Sequence, residues 1–126
     1  MRDLISTIGV VPAFTPSVKS AAADGLAVDL KGFNRVAFLI STGAIVSDGD
    51  FAVKLQESDD GAAFTDADDT AVLGSVPATL EAASAYKLGY VGFKRYTRLA
   101  LTKAGGTSIG LGAVAVLGDP QHAPVS

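Results

Sequence analysis

The stretch "DFAVKLQES" at residues 50–58 alternates strictly, with Phe51, Val53 and Leu55 on one side and Ala52, Lys54 and Gln56 on the other. Such a period of two describes a half-buried β-strand, because successive side chains of a strand point to opposite faces. The same pattern recurs in "NRVAFLIST" (34–42), where Val36, Phe38 and Ile40 oppose Arg35, Ala37, Leu39 and Ser41. It recurs again in "AYKLGYVG" (85–92) and in "KRYTRLALT" (94–102), where Thr97, Leu99 and Leu101 oppose Tyr96, Arg98 and Ala100. No segment repeats apolar residues at helical spacing for three turns. "TLEAASAYKL" is the best helical candidate, and Gly89 would end it early. The chain therefore reads as all-β.

Short strands separated by turn residues, with no helices between them, predict an antiparallel two-sheet β-sandwich of jelly-roll type. A closed barrel is the alternative. At 126 residues the chain fits one domain. The sandwich is expected over 25–119, and residues 120–126 form a polar C-terminal tail. "SIGLGAVAVLG" (108–118) is apolar on both faces, which suits a central strand or one covered by something else. Residues 1–24 look different, with Pro12 and Pro16 breaking any ladder. They read as an extended N-terminal arm. The arm packs either on its own domain or on a neighbour, and the expectation is that its apolar residues Ile5, Ile8, Val10 and Phe14 bury against a neighbouring subunit.

The candidate chemistry is sparse. With no cysteine, disulfides, thiolate metal sites and cysteine nucleophiles are all excluded. The single histidine, His122, lies in a Pro-flanked tail without an orienting partner nearby. Gly105-Gly106 lacks the Lys-Ser/Thr of a phosphate loop. The aspartates of "SDDGAAFTDADD" lack calcium-loop spacing, and Asp-Gly is a tight-turn pair. A site built from Asp59, Asp66, Asp68 or Asp69 is the competing reading. The expectation is a non-enzymatic protein with no catalytic residue, cofactor or metal.

The N-terminus lacks the apolar core of a signal peptide, and no apolar run approaches the roughly 20 residues of a membrane-spanning helix. Neither a membrane nor a nucleic-acid partner is expected, the net charge being −3. Charge is nonetheless segregated. Eight acids lie between Asp48 and Asp69 against Lys54 alone, and five bases lie between Lys87 and Lys103 with no acid. The two groups either neutralise each other across the fold or form poles that meet a partner. On the second reading Lys94, Tyr96 and Arg98 form an interface.

Four runs in order, "VDLKGFNRVAFLISTGAI", "KLQESDDGAAFTD", "YKLGYVGFKRYTRLALT" and "GAVAVLGDPQHAP", carry a family resemblance over about residues 28–124. The chain resembles a family of small virion proteins of tailed bacteriophages. That resemblance implies a head decoration protein that binds the major capsid protein, and other copies of itself, on the capsid surface after assembly in the host cytoplasm. A head–tail or tail component is the alternative within that class. The pair "LQESDDGAAF" and "FKRYTRLAL" is also similar to discoidin-type carbohydrate-binding modules. The absence of tryptophan counts against glycan binding.

Overall fold

The computed structural model describes residues 8–74 and 79–120. Among these residues, ten strands form two antiparallel sheets: β1 (Ile8–Lys19), β2 (Ala23–Asp24), β3 (Val28–Asp29), β4 (Phe33–Val46), β5 (Asp50–Ser58), β6 (Thr65–Asp66), β7 (Val72–Leu73), β8 (Ala85–Tyr90), β9 (Tyr96–Gly105) and β10 (Ser108–Pro120). Sheet A runs β1-β10-β4-β8-β7, and sheet B runs β2-β9-β5-β6 with β3 also on β9. The protein is an all-β sandwich.

The alternation in the sequence selects the inner face as expected. Val36, Phe38 and Ile40 of β4 meet Phe51, Val53 and Leu55 of β5 in one core, joined by Leu88, Leu99, Leu101, Ile109 and Leu111. β10 is central in sheet A, between β1 and β4; its inner face joins the core, and its outer face, with Val114 37 % exposed, is apolar without being covered by the described residues. Residues 80–84 form a turn and not a helix. The Thr42 hydroxyl donates to the Glu81 carbonyl and accepts the Ser84 amide, satisfying backbone groups that a helix would otherwise pair. Leu80 folds under this turn and closes the core, 1 % exposed.

The arm reading of residues 1–24 is corrected from Ile8 onward. β1 pairs along β10 from Ile8↔Gly118 to Lys19↔Ile109, and β2 pairs with β9. The sandwich thus starts before residue 25. Ala13 and Phe14 are buried in the chain's own core and are not available to a neighbour. Register shifts between Pro12 and Phe14 and between Phe14 and Ser17 break the alternation that would have marked a strand. Deleting residues 1–20 would remove an edge strand and two core side chains, so the remainder is not a self-sufficient domain. Ile5 and the tail from Gln121 lie outside the described residues.

One flaw in the core is informative. Thr97 is fully buried on the inner face of β9, and its Oγ1 has no hydrogen-bond partner among the described residues. An unpartnered buried hydroxyl is destabilising, and valine has nearly the same shape. Thr97→Val is therefore expected to raise stability by about 1 kcal/mol, read from urea unfolding midpoints. A fall of that size would mean that the hydroxyl does have a partner.

Candidate interaction surface

The two outer faces of the sandwich differ in kind. On sheet B the acidic hairpin and the basic segment meet within one chain. Lys94 Nζ lies 2.8 Å from Asp59 Oδ2, and Lys54 Nζ lies 3.1 Å from Asp66 Oδ1. Arg95 donates two hydrogen bonds to Asp29, at 2.9 and 2.8 Å. Arg98 donates to Gln56 at 2.8 Å, reaches Asp24 at 3.4 Å, and lies over the Phe64 ring at 4.2 Å from its centroid. Phe64 is therefore a half-buried platform for Arg98. Tyr96 carries Arg95 over its ring and packs beside Gly61. The interface expected at Lys94, Tyr96 and Arg98 is thus already engaged by the chain's own residues.

The loop at 58–63 closes on itself. The Ser58 hydroxyl accepts the amides of Asp60 and Gly61, and the Asp60 carboxylate accepts the amides of Ala62 and Ala63. Gly61 supplies the left-handed step, with φ of 77°. Those amides, Ala62 first, and the Ser58 hydroxyl hold the Asp60 pKa down from 3.8 to about 2. The Arg95 guanidinium holds Asp29 equally low, at about 2. A depressed carboxylate stabilises the fold above its unfolded pKa, and that contribution is lost as pH falls through the folded value. Thermal stability should therefore drop between about pH 4 and about pH 2. Asp60→Asn is expected to melt earlier than the parent at neutral pH and level with it near pH 2. A gap that stays constant across that range contradicts this account of the loop. Among the described residues, no group of three or more His, Asp or Glu side chains is placed to hold a metal ion.

Sheet A presents the opposite surface. The pairing places Val10, Val116, Ala37, Gly89 and Leu73 in one row across its outer face. Pro12, Val114, Leu39 and Lys87 form the next row, and Gly112, Ser41 and Ala85 the one after. Leu39 is 42 % exposed, Val114 37 % and Val18 72 %. The small residues Gly43, Gly110, Gly112 and Ala85 floor an open groove of about 930 Å³, walled by Pro12, Pro16 and Val18 of β1. A contiguous exposed apolar face of this kind marks an interaction site more often than isolated apolar residues do.

The sheet edges are closed to strand addition. β1 carries Pro12 and Pro16, which lack amide donors, and β2, β3, β6 and β7 are two residues each. Association through a face is left as the open route. Of the arm residues named from the sequence, Val10 stands on this face, 59 % exposed, and Ile8 is half-buried at its margin. Leu39, Val114, Arg35 and Lys87 on this face lie outside the interface residues that the sequence suggests. Their signal was the apolar outer face of 108–118, which needed a neighbour strand to become a surface.

The described residues form no helix long and apolar enough to cross a membrane. In comparisons with known proteins, no family model and no curated sequence matches this chain.

Proposed function

We propose that this chain is a non-enzymatic structural protein of a tailed-phage virion, a head decoration protein that docks on the major capsid protein through the outer face of sheet A. The observation that carries the attachment surface is the contrast between the two faces. Sheet B pairs Lys54, Lys94, Arg95 and Arg98 with acids of the same chain, whereas sheet A leaves an apolar groove open to solvent. The choice of a capsid as the partner rests on the family resemblance over residues 28–124. The jelly-roll form of the sandwich is part of the same proposal. What supports it is the strand order, in which β1, β4, β7, β8 and β10 fall in sheet A while β2, β3, β5, β6 and β9 fall in sheet B, so the chain crosses repeatedly between them.

Heads assembled without this protein supply the test. Purified protein added to them is expected to bind at a copy number that scales with the capsid subunits, and to raise the temperature at which the heads rupture. Binding confined to one ring per particle would place the protein on the head–tail axis. No binding to heads would overturn the proposal.

A further inference from the structure

We infer that the outer face of sheet A receives an apolar protein segment flanked by carboxylates, which pair with Lys87 and Arg35. This deepens the attachment reading above and rests on it. The inference comes from where charge has been left unpaired. On sheet B, Lys54, Lys94, Arg95 and Arg98 each have an acid within ion-pair distance, and Lys103, which has none among the described residues, donates to the Ser20 carbonyl at 2.9 Å. Lys87 of β8 and Arg35 of β4 are exposed on the apolar face, and neither has such a partner among the described residues. The strands of sheet A contain no acid whose side chain is described. Glu81 lies in the turn before β8, beyond the strand end.

That charge pattern selects the occupant. A second copy laid face to face would bring Lys87 and Arg35 against Lys87 and Arg35, and like charges across an interface disfavour it. Of another copy's acids with described side chains, Asp24, Asp29, Asp59 and Asp66 are engaged in ion pairs. Asp50, Glu57, Asp60 and Asp68 accept hydrogen bonds from Thr79, Tyr90, Ala62 and Thr70, which leaves Asp48 and Glu81, both in turns. A different partner, apolar between two acidic ends, fits the face. Leu39 stands opposite Lys87 in the pairing, and Arg35 is two inward–outward repeats further along β4. At about 3.4 Å per residue, the two cations sit roughly 14 Å apart, with Leu39 and Val114 near the Lys87 end. The apolar contact supplies attachment, and the cations fix orientation and the sign of charge accepted.

Three synthetic peptides with one shared apolar core, flanked by Glu, Gln or Lys at that spacing, are titrated into the isotopically labelled full chain and followed by amide NMR. The Glu-flanked peptide is expected to bind about tenfold tighter than the Lys-flanked one at low salt, with shifts at Gly43, Gly112 and Lys87. The difference should shrink near 1 M salt, where the screening length is about 3 Å. Lys87→Glu combined with Arg35→Glu should invert the order. Equal affinities, an order the double variant leaves unchanged, shifts confined to sheet B, or no binding by any peptide would overturn the inference. So would a homodimer seated on sheet A in sedimentation experiments. Heads separate the two readings. Should the double variant invert the peptide order while heads refuse the wild type, the carboxylate chemistry stands and the capsid reading falls. Equal uptake of wild type and double variant by heads leaves the capsid reading standing and sinks this one.

Discussion

Phe38→Ala is expected to destabilise the fold by about 3–5 kcal/mol, the cost typical of removing a fully buried aromatic side chain. Phe38 is 0 % exposed and sits on the inner face of β4, the strand between β10 and β8 in sheet A. Its loss removes contacts on the sheet that also presents the candidate surface. A domain of this size has a net stability of only roughly 5–15 kcal/mol, so the variant gives up a large share of it. Urea unfolding measures the effect, with Phe38→Leu as a milder companion that keeps most of the volume. An unchanged midpoint for Phe38→Ala would mean that the two sheets do not pack on this residue.

The second large effect concerns attachment and not folding. Leu39→Asp together with Val114→Asp places two charges in the middle of the apolar face. Both side chains are partly exposed in the free protein, but they face each other in the pairing of β10 and β4. The two carboxylates therefore lower the melting temperature somewhat, and each single variant is measured beside the pair to keep folding and attachment apart. The double variant's affinity for the partner should collapse, because each carboxylate would have to be desolvated against an apolar surface. Truncating one of the few hot-spot residues at the centre of an interface costs at least about 2 kcal/mol in binding. Head uptake is the readout, with Lys54→Asp on sheet B as the control. Loss of uptake in the control alone would place attachment on the charged face.

Much of the sandwich is legible in the sequence because burial imposes a local period. Residues 34–42 and 50–58 show their inner faces one by one, and the structure buries those same residues. β1 escapes this logic. Its prolines and two register shifts leave no period to read, and the same Pro12 and Pro16 that suggest a free arm are also what a guarded edge strand carries. The charged face fails for a different reason. Lys94 finds Asp59 at a separation of 35 residues, and Arg95 finds Asp29 at 66, pairings that exist only once the sheets are assembled. Segregated charges in the sequence thus read equally well as poles facing outward or as partners within one chain. Their pairing is what leaves sheet A as the open surface. The Tyr90 hydroxyl belongs to the same assembled level. It donates to Glu57 at 2.7 Å and ties β8 of sheet A to β5 of sheet B, and burial with that carboxylate pushes its pKa up to about 12.

The central claim is that the outer face of sheet A is the attachment surface. An electron cryo-microscopy map of heads saturated with the protein tests it most directly. The account predicts density for the sandwich with Leu39, Val114 and the Gly43–Gly110 floor against a capsid subunit, and with Arg98 and Lys54 facing solvent. A map in which sheet B faces the capsid and the groove of sheet A stands open would contradict it.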